Sequence, residues 1–335
     1  MDLQKQIRVF SLLGDEIQQM IEKDDKVIDI TYGKNCWFVP EFVKSALSGL
    51  SFMLKEEKLS RWLSKYPHPN KNRKNIGIIM AGNIPAVGFH DLLTVLCSHN
   101  QAVIKLSHND NVLIPYLVDL MIKIDPGMKH QIKFVRSLNH IDAVIATGSD
   151  NTSRYFEYTF RELPRLIRKN RTSCCILNGD ESYRELAELS YDIFSYFGMG
   201  CRNVSKLFVP AGYNVESLIP HFSAYSWIKN HSKYYNNYTF HSSRYTLEHR
   251  QFIDGQFFIM AKSKDMVSPL SCLYYDEYGN TLEAADIIRL NRNKIQCVVA
   301  PKGLFPNNID FGTAQFPEPW DYADAIDTMK FLAEI

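Results

Sequence analysis

The sequence predicts an α/β fold, a parallel sheet faced by helices followed by a second α/β domain. Three observations point to it. Apolar, β-branched runs alternate with helix-like runs through the first half of the chain. Those runs end in small polar turns that lead into helices. Further on, a helix-like run closes on a glycine-flanked cysteine, Cys201, directly before another apolar strand.

The chain opens with Leu3, Ile7, Phe10, Leu13, Ile17 and Ile21 at helical spacing, with acids and amides between them. This pattern predicts an amphipathic helix packed on the body of the protein, with a membrane-surface role the alternative. Residues 1–72 therefore read as a helical leader, closing in a proline-rich link, Tyr66-Pro67-His68-Pro69-Asn70. The densest basic cluster, Lys71-Asn72-Arg73-Lys74, reads as solvated linker.

Residues 73–179 read as a nucleotide-binding domain. Asn75-Ile76-Gly77-Ile78-Ile79-Met80-Ala81-Gly82 is a buried-type strand, and Asn83-Ile84-Pro85-Ala86 then begins a helix. Asparagine followed by proline at a helix start offers unpaired amides to an anion or a polarised carbonyl oxygen. Ala102-Val103-Ile104-Lys105-Leu106-Ser107 is a second strand with Lys105 at its end, followed by a helix over 109–124. A third unit runs from Ala143-Val144-Ile145-Ala146 into the turn Thr147-Gly148-Ser149. Ligands of parallel sheets gather at the carboxyl ends of the strands, where Lys105 and this turn stand. Taken singly, Lys105 also fits an ordinary strand-end lysine, and the Thr147–Ser149 turn reads first as an ordinary loop.

Residues 180–335 read as a catalytic domain with a C-terminal tail. A helix over 181–197 leads into Phe197-Gly198-Met199-Gly200-Cys201-Arg202-Asn203, and Val204-Ser205-Lys206-Leu207-Phe208-Val209-Pro210 follows as a strand. Flexible backbone around Cys201 lets a substrate carbonyl approach the thiol, while the Cys201 N–H can face an oxyanion. The alternative for any cysteine is a small buried hydrophobe. The stretch from Trp227 to Tyr245 is crowded with tyrosine, asparagine and histidine, and both an acyl tunnel and a polar-aromatic surface fit it.

Composition sets the outer bounds. At 335 residues the chain can bury two cores, and a formal charge of +1 gives no field for nucleic acid. Seven cysteines, an odd number in a long chain, point to a reducing compartment. Cys174 and Cys175 are adjacent in a strand-like run, so they face opposite sides and read as core, and no metal-ligand spacing appears. The start of the chain carries no secretory signal and no apolar run reaches the roughly 20 residues of a membrane span, so the reading is cytoplasmic.

In order, these segments resemble the aldehyde dehydrogenase superfamily, and more closely its LuxC-type fatty acyl-CoA and acyl-protein reductases. The resemblance runs from about Ile76 to the C-terminus. It implies a Rossmann-like nucleotide-binding domain and an α/β catalytic domain carrying a nucleophilic cysteine, Cys201. It further implies an oxyanion amide from Asn83 in its turn with Pro85, a cofactor-ribose contact from Lys105, and a phosphate-facing turn of Thr147, Gly148 and Ser149. Asp265-Met266-Val267-Ser268-Pro269-Leu270 resembles the family's Glu-x-Phe-Gly-Pro segment, which makes Asp265 the nicotinamide-ribose acid, one methylene short. The run Trp320-Asp321-Tyr322-Ala323-Asp324-Ala325 through Leu332 resembles the LuxC-type ending.

The hydrolytic members carry a general-base glutamate in a Glu-Leu-Gly-Gly segment. The matching run here, Arg168-Lys169-Asn170-Arg171-Thr172-Ser173-Cys174-Cys175-Ile176-Leu177-Asn178-Gly179, has no carboxylate, and Asp180 and Glu181 stay open as a displaced base. Without such a base an acyl-enzyme hydrolyses slowly, which fits reduction of an acyl thioester to an aldehyde. The resemblance implies NADPH as reductant, with NADH open, and an acyl thioester as substrate. No histidine is clearly placed to deprotonate Cys201. A complex with an acyl-activating synthetase and a homo-oligomer are both open. The competing readings are an acyl-phosphate reductase making a semialdehyde and a non-catalytic partner of such a synthetase.

Overall fold

The computed structural model describes residues 3–66 and 73–335, so Pro67 to Asn70 of the link and Lys71 and Asn72 of the basic cluster lie outside the described residues. The chain forms two compact units, residues 1–170 with 316–335, and residues 171–315. The sequence reading set this division at 179/180 and kept the C-terminal tail with the second domain.

In the first unit the helices α1 (Leu3–Glu22), α2 (Lys26–Lys34), α3 (Pro40–Met53) and α4 (Glu56–Leu63) precede the sheet. Then follow β1 (Asn75–Ile79), α5 (Phe89–Cys97), β2 (Gln101–Lys105), α6 (Leu113–Ile124), β3 (Ile132–Phe134), β4 (Ala143–Thr147), α7 (Asp150–Thr159) and β5 (Arg165–Arg168). The strands lie in the order β3-β2-β1-β4-β5, and all are parallel. The chain builds outward from β1 through β2 to β3, then returns to start again at β4. In open parallel sheets, such a reversal between β1 and β4 is where ligands bind, beyond the carboxyl ends of the strands.

The amphipathic α1 buries Ile7, Phe10, Leu13 and Ile17, each at most 3 % exposed, with Leu3 and Ile21 at the margin. Burying such a side chain contributes about 1.5–3 kcal/mol, so the stripe fixes the helix face. These residues share one core with β1, β2 and α6, and so the leader belongs to the nucleotide-type sheet.

The second unit contains β6 (Thr172–Ile176), α8 (Tyr183–Phe194), β7 (Val204–Pro210), α9 (Ser232–Leu247), β8 (Ile253–Asp254), β9 (Ile259–Lys262), β10 (Cys272–Tyr278), α10 (Thr281–Leu290) and β11 (Ile295–Val299). Its sheet runs β11-β6-β7-β10-β9-β8, parallel except for the short edge strand β8. Cys174 and Cys175 are both fully buried in β6, and burial pushes both thiols up.

The tail returns to the first unit and ends in α11 (Thr328–Ala333) because polar groups there receive it. Trp62 Nε1 donates to Tyr322 Oη at 2.7 Å, and Tyr66 Oη donates to Asp327 Oδ2 at 2.8 Å. The buried Arg168 guanidinium completes the seam, donating to Asp91 Oδ1 at 2.7 Å, Thr328 Oγ1 at 2.9 Å and the Ala323 carbonyl at 2.8 Å. Removing Asp91 would leave that cation buried without its counter-charge. Asp91→Ala is expected to destabilise the first unit by about 3–5 kcal/mol. Urea denaturation followed by tryptophan fluorescence checks this, since Trp37, Trp62 and Trp320 lie in this unit.

Candidate active site

In the first unit the sequence-predicted residues converge on one edge of one sheet. Asn83 follows the carboxyl end of β1, Lys105 ends β2, and Thr147, Gly148 and Ser149 close β4. Asn83, Lys105 and Ser149 are exposed. Ser149 caps α7, its Oγ accepting from Thr152 N at 3.3 Å.

The helix expected to begin at Asn83 begins only at Phe89. Ala86 holds a left-handed φ of 55°, and its N–H donates to the Asp110 carboxylate at 2.7 Å. Residues 83–88 are therefore a turn pinned from the β2–α6 loop, not the first turn of a helix. Asp110 also sets back α6, which begins at Leu113 and not at residue 109.

In the second unit α8 starts at Tyr183, with Ser182 and Glu185 forming a capping box. It stops at Phe194, short of the expected 197. Tyr196, Phe197 and Gly198 then take left-handed φ values of 53°, 58° and 79°. Two non-glycine residues in that region are strained, and persist only where surroundings fix them. The fixing group is Asn203, 1 % exposed. Its Nδ2 donates to the carbonyls of Asp192, Ile193 and Ser195 at 3.1, 3.3 and 2.9 Å. Its Oδ1 accepts from Gly200 N at 2.8 Å. One side-chain amide thus serves carbonyls that the end of a helix leaves over, and the turn that carries Cys201.

Cys201 is half-buried beyond the amino end of β7. Ser173 Oγ, at the start of β6, donates to the Cys201 carbonyl at 3.1 Å and lies 3.0 Å from Cys297 Sγ. Arg202 Nε donates to the Ala314 carbonyl at 2.5 Å. Underneath, Phe197 packs against the rings of His231 and Tyr234 with centroids 4.5 and 5.5 Å away. The aromatic stretch is thereby divided, Tyr234, His241 and Tyr245 facing inward from α9 while Tyr235 and Phe240 are exposed.

The position of the carboxylates bears directly on hydrolysis. β6 and β7 run parallel with Ser173 opposite Val204 and Ile176 opposite Phe208. Cys201 lies before the amino end of β7, whereas Asp180 and Glu181 follow the carboxyl end of β6, a strand length of roughly 15–20 Å away. Glu181 is moreover occupied as a turn staple, accepting from Asn178 N at 2.6 Å and Gly179 N at 3.2 Å. Neither carboxylate is placed to serve Cys201.

Asp265 is exposed on the crossing from β9 to β10. The buried Lys206 ammonium donates to the Ser263 carbonyl, and Ser205 Oγ donates to the Met266 carbonyl at 3.0 Å, so β7 holds this crossing in place. Burial pushes the Lys206 amine down, opposed by Asp276 and Asp265.

Asn203, Arg202, Ser173, Asp192 and Asp110 are the organising residues that sequence reasoning missed. One signal was present: Asp192 lies three residues after Leu189 and directly before Ile193 and Phe194, on the apolar stripe of α8. An acid on that stripe needs internal partners.

Residues 39–302 match the family described as acyl-CoA reductase, LuxC. The chain belongs to this family. It is thus an oxidoreductase acting on acyl or aldehyde groups. Among curated proteins none matches the sequence. Among solved structures it is similar to the indole-3-acetaldehyde dehydrogenase AldA of P. syringae, at 12 % identity and TM-score 0.67 over 90 % of this chain and 72 % of that one. It is also similar to an NAD-dependent aldehyde dehydrogenase of Sinorhizobium meliloti, at 12 % identity and TM-score 0.65 over 94 % and 72 %. An aldehyde dehydrogenase of Bacillus cereus matches at 14 % identity and TM-score 0.62 over 92 % and 73 %. At these identities the likeness establishes an aldehyde dehydrogenase-like fold.

Burial pushes the Asp110 carboxyl up to about 6, against the N–H groups of Ala86 and Leu113 that favour its charge. Its contribution to stability is therefore full below about pH 4, the ordinary carboxylate range, and is lost as pH rises through about 6. Asp110→Asn should flatten the pH dependence of the first unit's unfolding free energy over that window by about 3 kcal/mol or less. Urea titrations at pH 4.5 and 7.5 measure it.

Proposed function

We propose that this LuxC-family chain reduces an acyl thioester to an aldehyde through an acyl-enzyme on Cys201. The observation that carries the reading is the Cys201 turn: a half-buried thiol fixed by Asn203 and Ser173, with Asp180 and Glu181 at the opposite end of the sheet. The Cys201 thiolate attacks the thioester carbonyl, the donor leaves as a thiolate that takes its proton from solvent, and the acyl group stays on the Cys201 sulfur. The oxyanion is assigned to the Asn83 side-chain amide and the Cys201 backbone N–H. An acyl-CoA and an acyl-protein thioester both present the required carbonyl.

The residues of the first unit fit a nicotinamide dinucleotide. Strand order reverses between β1 and β4, and Lys105, Thr147, Gly148 and Ser149 stand at the strand ends around that point. NAD-binding Rossmann folds place an acid near this position for the ribose 2′-hydroxyl, whereas β2 here ends in the exposed cation Lys105. A cation there favours the 2′-phosphate of NADPH over NADH. Asp265 is assigned to the nicotinamide ribose. Lys105, Thr147, Gly148 and Ser149 would hold the reduced cofactor, which would supply hydride to the acyl carbonyl, with Cys201 leaving as thiolate as the aldehyde is released.

Cys201→Ala should abolish aldehyde formation and covalent acyl labelling while leaving NADPH binding intact; turnover near the wild-type rate would end this reading. Asn83→Ala should lower kcat by on the order of 100-fold with a smaller change in KM. A kinetic split of the opposite kind would make Asn83 a binding residue.

Acyl-enzyme formed from labelled acyl-CoA without cofactor should persist, passing its label to added thiol much faster than to water. NADPH should then discharge it as aldehyde. Rapid loss as free acid would show a working base near Cys201.

A further inference from the structure

Three consecutive residues of the thiol turn are each tied to a different partner. Gly200 is bonded to the Asn203 side chain, Cys201 to Ser173 through its carbonyl, and Arg202 to the Ala314 carbonyl. The first and third ties meet at one residue, Asp192 of α8. Its backbone carbonyl accepts from Asn203 Nδ2 at 3.1 Å. Its carboxylate accepts from Gly312 N at 2.7 Å through Oδ2 and from Ala314 N at 2.9 Å through Oδ1.

We propose that Asp192 is a positioning residue for the Cys201 thiol, holding the Gly200–Arg202 turn from both sides. Its backbone acts on the Asn203 tie; its carboxylate fixes the Gly312–Ala314 strap on which Arg202 is anchored. This rests on the assignment of Cys201 as the nucleophile.

The strap is built for this contact. It leaves the sheet at Ile309, which bridges to Val299 beside β11, and crosses to α8. At Gly312 the backbone has φ 75°, and a Cβ there would stand 3.1 Å from Glu188 Cβ on α8, so only glycine admits the approach. Ala314 is fully buried. An apolar side chain at 192 would suit the stripe of α8 yet leave the Gly312 and Ala314 N–H groups without their acceptor. A carboxylate accepts both, one on each oxygen.

Burying the acid is costly. Asp192 is fully buried and its carboxyl is pushed up to about 7 by that burial, opposed by the two N–H donors and Arg202 and reinforced by Glu188. A fold that keeps so unfavourable a group where leucine would pack retains it for what it holds.

The test separates positioning from simple loss of fold. Asp192→Asn replaces one acceptor oxygen with a donor facing a backbone N–H, which releases the strap from one side. Arg202→Met releases it from the other with α8 intact. Each variant is assayed for kcat and KM with acyl-CoA and NADPH, and for iodoacetamide alkylation of Cys201 by peptide mass spectrometry. Cys36, half-buried in the first unit, serves as internal control.

Both variants should lose about 10-fold or more in kcat with KM changed less than about 3-fold. Cys201 alkylation should rise about 5-fold or more as the turn loosens, with Cys36 unchanged. Wild-type alkylation of Cys201 in both variants would overturn the proposal, whatever happens to kcat. Should Asp192→Asn fail to fold, Arg202→Met decides by the same criterion. If Cys201→Ala proves active while these alkylation shifts appear, the positioning of the turn stands and the nucleophile assignment alone falls.

Discussion

The second unit turns on one amide. Asn203 is the group that lets a helix end abruptly, the chain reverse through left-handed backbone, and a thiol emerge at the head of a strand within the span from Phe194 to Val204. Each of its four bonds goes to the backbone, and Asn203 is almost fully enclosed. A buried donor or acceptor left without a partner costs about 1–3 kcal/mol, so losing this one side chain exposes several such costs at once. Aspartate would set acceptor against three carbonyls, and leucine would satisfy none. The requirement for asparagine follows from geometry alone.

That constraint spreads outward through the polar groups at the amino end of the sheet. Thr172 Oγ1 meets the Asn203 carbonyl at 3.3 Å and Ser205 Oγ at 2.6 Å, and Ser173 holds the Cys201 carbonyl. Hydroxyls at the start of β6 thus continue the tethering begun by Asn203. The first unit solves a similar problem differently: Asp110 reaches from a neighbouring loop to hold Ala86 in its left-handed conformation. In both units a backbone shape that local propensity disfavours is fixed by one buried polar side chain. In both, that shape lies beside a residue assigned to the chemistry.

Much of the architecture was legible in the sequence because it rests on local signals. The alternation of β-branched runs with amphipathic helices gave the parallel sheet, and the stripe from Ile7 to Ile17 gave α1 its buried face. Lys105 and the Thr147–Ser149 turn could be placed at strand ends for the same reason. What stayed hidden depends on partners distant in the chain. The return of the tail to the first unit depends on Trp62 and Arg168 meeting Tyr322 and Thr328, pairings that no local periodicity encodes. The late start of α5 depends on Asp110, twenty-four positions beyond Ala86. Helix signals at Asn83 and Pro85 were sound as local chemistry and were overridden by that contact.

Slow hydrolysis is the expectation from a run without carboxylates beginning at Arg168, and the structure gives Arg168 a physical role of its own. Arg168 is committed to Asp91, Thr328 and Ala323 within its own unit, an ion pair whose rupture would strand a buried charge. The position therefore does structural work that a glutamate could not take over, because a carboxylate there would face Asp91 with like charge. Asp180 and Glu181, the acids that follow this run, lie beyond the far end of β6 from the thiol, and parallel strand pairing fixes them there. Acyl transfer and reduction, the chemistry proposed for Cys201, agree with a thiol so placed.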